Sequence, residues 1–200
     1  HIDGMVYGRP LIPPTRYNAK INQLDDSAAK DIPGYIKTVE LNDPSGTVPG
    51  WAVVIADSFD AANQAARKII VDWTPGDTAG IYEAQLLEHC RNLIGDASIG
   101  SLVVDDGGVD QAFTNAYTNL EAEYLTHSVL HFQLEPVNAL AVEKDGQWEI
   151  HTGNQWQTLI IPVLAKALAV PERNIRLRTY VLGGGVGRRL NGDHAVPAAL

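Results

Sequence analysis

Cysteine is nearly absent: Cys90 is the only one in 200 residues, which excludes an intrachain disulfide and leaves the redox compartment open. Basic residues are scarce as well. Fifteen lysines and arginines stand against twenty-four aspartates and glutamates, for a formal net charge of −9. A face that binds nucleic acid needs clustered Lys and Arg, so this balance argues against such a partner and reads as a solubility feature. Long apolar runs are missing, since none approaches the roughly 18–20 residues of a membrane-spanning helix. No basic stretch followed by an apolar one opens the chain, so no signal peptide is visible. His1 and Leu200 both fall in mid-pattern, Ala198-Ala199-Leu200 without a cap, turn or polar tail, and both ends are read as cuts.

What is present alternates between strand and helix chemistry. Trp51–Ala56 is a short β-branched apolar run, expected to be a buried strand. Asp57 and Ser58 can cap a following helix, and Ala61, Ala62, Ala65, Ala66 and Ile69 recur at helical spacing on a small-residue face. Strand chemistry resumes at Ile70–Trp73 and stops at Thr74-Pro75-Gly76. A short helix is expected at Ser27–Asp31, closed by Pro33-Gly34. In residues 77–107 one amphipathic helix is expected, with Leu86, Leu87, Cys90, Leu93 and Ile94 on one side and the Cys90 thiol buried and inert. Leu120, Ala122 and Tyr124 alternate with polar residues, as in a half-buried strand. Asp145-Gly146 is a two-residue hairpin signal between Ala139–Val142 and Trp148–Ile150. A helix follows over Thr158–Leu168, with Pro162 in its first turns and Pro171 after its end. Ile175–Tyr180 alternates as a strand that delivers the chain to Gly183-Gly184-Gly185-Val186-Gly187. The fold class is α/β of the mixed, α+β kind.

Consecutive glycines after a strand permit positive φ and let the backbone approach a bound group; the same run can also be only a turn. A dinucleotide fingerprint fails because the third glycine position holds Arg188, and a P-loop fails because no Gly-Lys-Ser/Thr follows. His127, His131 and Glu135 raise the possibility of zinc, but the local pattern is not helical and no glutamate adjoins His127. No Gly-x-Ser-x-Gly elbow marks a serine nucleophile. Glu135-Pro136-Val137-Asn138 reads as a turn or as a carboxylate near a site. Gln155 and Gln157 sit among apolar residues, where an amide must hydrogen-bond to be tolerated.

Six segments, in order, carry a resemblance: Ala29–Gly34, Trp51–Trp73, Ala112–Tyr124, His131-Phe-Gln-Leu-Glu-Pro136, Ala165–Pro171, and the glycine run with Arg188-Arg189-Leu190. Together they resemble the molybdenum hydroxylases, the xanthine oxidase and aldehyde oxidoreductase family, across nearly the whole chain. The Gly-Gly-Gly-x-Gly-Arg-Arg ending is most similar to the isoquinoline oxidoreductase and membrane-associated aldehyde dehydrogenase branch.

The resemblance implies a hammerhead-like α/β domain over 1–76, a connector with one helix over 77–107, and the start of a molybdopterin-binding domain over 108–200. It implies hydroxylation of an aldehyde or N-heterocycle with water as oxygen source, on a molybdenum–molybdopterin cofactor. Gln155 falls on the family's glutamine that hydrogen-bonds an oxygen ligand of molybdenum. Gly184, Gly185, Val186 and Gly187 fall on the loop whose backbone N–H groups meet that centre, with no residue of this chain ligating the metal itself. Val186 replaces the family's usual phenylalanine, so a ring against the site is lost while the backbone contact survives. Leu190 stands where purine-oxidising members carry an acidic residue, which favours aldehydes or apolar heterocycles. The catalytic base and most of the pterin cradle are expected later in the complete subunit, so the isolated chain is expected to be inactive and free of the cofactor. Iron–sulfur clusters need several thiolates and would belong to a partner subunit. The branch favours a periplasmic over a cytoplasmic location. The rival expectation is a non-catalytic assembly or binding domain of the same ancestry. Gly185 is expected to tolerate no Cβ, whereas Gly107 in the connector is expected to tolerate one.

Overall fold

A computed structural model describes residues 2–96 and 98–200. The chain forms two compact units: one takes in the chain up to Ala79 together with His131–Leu200, and the other is Gly80–Leu130.

The first stretch holds β1 (Tyr7–Leu11), β2 (Lys20–Asp25), β3 (Tyr35–Glu40), β4 (Ala52–Ala56), α1 (Phe59–Ala66) and β5 (Ile70–Thr74). β4 is the apolar run expected to be buried, and it is the centre of an antiparallel sheet ordered β1-β4-β3. Ser58 caps α1 by accepting from the Ala61 N–H at 3.3 Å. The alanines at 61, 62 and 65 are buried, and their small side chains let α1 settle onto this sheet. Strand–helix–strand is the observed order of β4, α1 and β5. However, β5 leaves the first sheet and pairs with β2 instead. The helix expected at Ser27–Asp31 is a 3₁₀ turn over Ser27–Ala29.

In the Gly80–Leu130 unit lie α2 (Glu83–Gly95) and α3 (Val109–Asn115). Neither helix buries a residue. Cys90 is exposed, which corrects the expectation of a buried thiol: the apolar side of α2 has no partner among the described residues. The half-buried strand expected around Leu120 and Tyr124 is also not formed. Those side chains are 90% and 91% exposed, and their segment pairs with no other strand among the described residues. Alternation gives a segment a strand's faces, but the ladder needs a second backbone.

The last stretch holds β6 (Leu140–Lys144), β7 (Gln147–Thr152), α4 (Gln157–Leu168), β8 (Ile175–Thr179) and α5 (Val196–Ala199). Asp145 and Gly146 take φ of 52° and 74°, the paired positive values of the tight hairpin turn expected between β6 and β7. β8 lies parallel to β7, and α4 is the crossover between them. Pro162 is the sixth residue of α4, within its first two turns, and the Thr158 carbonyl loses its helical partner there. α4 ends on Ala169 in the left-handed region, φ 53°, with the Val170 N–H reaching back to the Ala165 carbonyl at 3.0 Å. Ile150, Ile160, Leu164, Ile175 and Val196 form a core that also includes Val48 and Trp51, so the first and last stretches share one apolar interior.

Candidate functional site

The parallel pairing of β7 with β8 explains how the site is assembled. Thr152 and Thr179 are in register, so the segments that follow each strand leave the sheet at the same end. One is Gly153–Trp156, leading into α4; the other is Tyr180–Gly187. Crevices beyond the carboxyl ends of parallel strands are the usual ligand sites of open α/β sheets. The N-terminus of α4 starts directly after Gln155-Trp156, and no side chain caps it, so its first N–H groups add a positive end to that rim.

The structure brings Gln155 and the glycine loop together. A Cβ on Gly185 would lie 2.3 Å from Gln155 Cδ, so the amide occupies the space that only a glycine leaves open there. Gln155 Oε1 accepts the Arg189 N–H at 3.2 Å, and its Nε2 makes no hydrogen bond among the described residues. Arg188 N–H donates to the Gly185 carbonyl at 2.8 Å, with Val186 and Gly187 at φ 47° and 81°. That is the paired-positive-φ turn, and a β-branched residue pays strain to occupy it. The backbone N–H groups of Gly184, Gly185, Val186 and Gly187 make no hydrogen bond among the described residues. The loop therefore presents four unused donors beside the free NH₂ of the Gln155 amide.

The segment His131–Glu135 borders the loop on its other side. His131 is the nearest neighbour of Gly187, Gln133 of Gly184, and Glu135 of Gly183. Gly183 N–H donates to Glu135 Oε2 at 2.7 Å, and Glu135 N–H to the Gly183 carbonyl at 3.2 Å. The Gly183 N–H, with the Arg189 charge behind it, holds the Glu135 carboxyl below the usual range. His127 lies in the other unit and hydrogen-bonds Glu83 there, at 2.6 Å. Among the described residues, no three His, Cys, Asp or Glu side chains form a group able to hold a metal ion.

Four residues of this region were not picked out as site residues from the sequence. Arg189 is fully buried, and Asn154 Nδ2 donates to its carbonyl at 3.0 Å. Asp193 is buried between Arg188 Nη1 at 2.7 Å and Arg16 Nη1 at 3.1 Å. His194 lies beside it, its Nδ1 3.9 Å from Asp193 Oδ1, and neither ring nitrogen is within hydrogen-bond distance of a partner among the described residues. Their signal in the sequence is the Arg188-Arg189 pair directly after the glycine loop. The expectation for Gly107 is also corrected: although its Cβ would meet nothing, its φ is +82°, so a side chain there is strained.

A mixed α/β chain with an unpaired glycine loop beyond two parallel strands has the layout in which open α/β folds usually place a ligand. The sequence pattern of the molybdopterin cofactor-binding domain matches residues 94–200, and the chain belongs to that family. It is 53% identical over its whole length to the membrane-bound aldehyde dehydrogenase [pyrroloquinoline-quinone] of Gluconacetobacter polyoxogenes, covering 26% of that protein. It is 28% identical, over 99% of its length, to the isoquinoline 1-oxidoreductase subunit beta of Brevundimonas diminuta, covering 25% of it. The chain thus spans about a quarter of these relatives. Among solved structures, quinoline 2-oxidoreductase from Pseudomonas putida 86 matches 97% of the chain at a TM-score of 0.65 and 20% identity, covering 29% of that chain. The aldehyde oxidoreductase from Desulfovibrio gigas matches 94% of this chain at 0.65 and 18% identity, covering 25% of that one. The expected branch and the mixed α/β fold are both borne out.

Proposed function

We propose that this chain is part of the molybdenum-binding subunit of an oxidoreductase that hydroxylates aldehydes or N-heterocycles, with water as the oxygen source. The observation that carries the proposal is the Gln155 amide, its NH₂ free, lying against a loop of four unused backbone N–H groups. Such a donor set suits an oxygen-rich anionic group and offers no ligand of its own to the metal, which fits molybdenum–molybdopterin. When bound, that cofactor supplies the two-electron oxidation of the substrate carbon.

The residues of this chain bind and orient. Gln155 Nε2 would donate to an oxygen of the bound group, and the free N–H groups of Gly184, Gly185, Val186 and Gly187 would hold it from the loop. Leu190 gives the substrate side no acidic partner, in keeping with aldehydes or apolar heterocycles. The proposed organisation is a hammerhead-like part over 1–76, a connector, and the beginning of the molybdopterin domain from 108. The catalytic base belongs to the rest of the subunit, electrons leave through an iron–sulfur partner, and the periplasm is the proposed location.

A second reading has a specific observation behind it, because the 53%-identical relative carries pyrroloquinoline-quinone in its name. Metal analysis and solvent extraction of the purified full-length protein separate the two. Stoichiometric molybdenum without extractable quinone is expected. Quinone without molybdenum overturns the proposal, and neither one favours a non-catalytic domain of the same ancestry.

A further inference from the structure

We propose that Arg189 is the positioning residue of this site, its buried guanidinium braced by Glu135 to hold Gln155 and the glycine loop in cofactor-binding register. The inference rests on the functional reading above and deepens it.

Arg189 joins three segments that are far apart in sequence. Its Nη2 lies 2.9 Å from Glu135 Oε2 and donates to the carbonyls of Glu135 at 3.2 Å and Pro136 at 3.5 Å. Its Nη1 donates to the Gly153 carbonyl at 3.5 Å. Its own backbone closes the remaining side, with the carbonyl accepting the Gln155 N–H at 3.1 Å and the N–H donating to Gln155 Oε1. A backbone N–H can only donate, so the Gln155 atom facing it is the carbonyl oxygen, and the NH₂ end is left for a ligand. Glu135 completes the brace, because the oxygen that meets Arg189 also accepts from Gly183, at the head of the glycine loop.

Stability alone is a poor explanation for this arrangement. The guanidinium is 0% exposed, and its Nε has no hydrogen-bond partner among the described residues, whereas Glu135 keeps 37% of its side chain in solvent. An apolar side chain of similar volume commonly serves a fold as well as a buried ion pair or better. What such a side chain cannot do is fix three carbonyls and a carboxylate at once. Lysine cannot do it either, since it offers a point charge where arginine offers a planar fork.

The test uses the full-length protein with Arg189→Lys and with the paired change Glu135→Gln/Arg189→Met. Molybdenum content, melting temperature, the Mo(V) electron paramagnetic resonance signal, kcat and KM are measured for each. A positioning role predicts retained folding and an altered Mo(V) signal. It also predicts kcat lowered about 10–100-fold per molybdenum, the usual effect of losing an outer-shell partner. A wild-type signal and wild-type turnover per molybdenum in both variants overturn the proposal, whatever happens to the melting temperature. Should the paired variant fail to fold, Arg189→Lys decides by the same signal. If the unmutated protein holds no molybdenum, the functional reading falls and takes this inference with it. Molybdenum-loaded variants that are unaltered defeat the inference alone.

Discussion

At the scale of single residues, Gln155 and Gly185 act as one device, since the amide lies where a Gly185 side chain would be. Gln155→Ala in the full-length enzyme should lower turnover roughly 10²–10³-fold, the range for losing one donor to a charged centre. Gln155 is exposed, so folding and molybdenum content should be kept; a loss below about threefold at full loading would make it a structural amide. Gly185→Ala should expel the Gln155 side chain and abolish turnover per folded, molybdenum-loaded enzyme. Gly95 is the matching control, because its Cβ would meet nothing and its φ is ordinary. Gly95→Ala should stay within about 0.5 kcal/mol in stability and leave specific activity unchanged. Equal specific activity in the two variants would remove the ligand-facing role of the loop.

At the scale of elements, the β7–α4–β8 crossover does the positioning, and the end of α4 is where its sequence fits least well. Ala169 takes the left-handed C-terminal position at φ 53°, a place where glycine avoids the Cβ clash. Ala169→Gly in the full-length protein should therefore stabilise it by about 1 kcal/mol, read from the midpoint of urea unfolding. Val186, at φ 47°, carries the same kind of strain inside the loop itself. Strain of this kind persists where the surroundings over-determine a conformation. Here the Arg188-to-Gly185 hydrogen bond and the packed Gln155 amide do so.

On the scale of the whole molecule, Asp193 ties residue 16 to the end of the glycine loop. Burial alone would raise its pKa, but the adjacent His194 and the Arg188 and Arg16 guanidiniums outweigh that and lower it from 3.8 to about 2. The folded value lies below the unfolded one, so the stabilisation is complete above about pH 4 and is lost as pH falls through about 2. Asp193→Asn should therefore destabilise the protein at neutral pH and flatten the acid limb of its stability profile between those values. An unchanged acid limb in pH-dependent thermal unfolding would show that the two arginines do not hold this carboxylate.

Much of this was legible in the residues alone. Local signals were enough for β4, the Ser58-capped α1, the Asp145-Gly146 hairpin and α4, because caps, turns and apolar period act within a few residues. The pairing of Gln155 with the glycine loop was legible only through resemblance, since Gln155 and Gly185 lie thirty positions apart. The parallel register of β7 and β8 is what brings them together. Tertiary structure also decided that β5 pairs with β2 instead of β4, and that Val48 and Trp51 share a core with Ile150 and Leu164. It decided that Leu120 and Tyr124 lie in solvent and that Arg189 is buried. Periodicity specifies which faces of a segment are apolar. Whether such a face is covered, and which distant groups meet across it, depends on contacts that no local pattern contains.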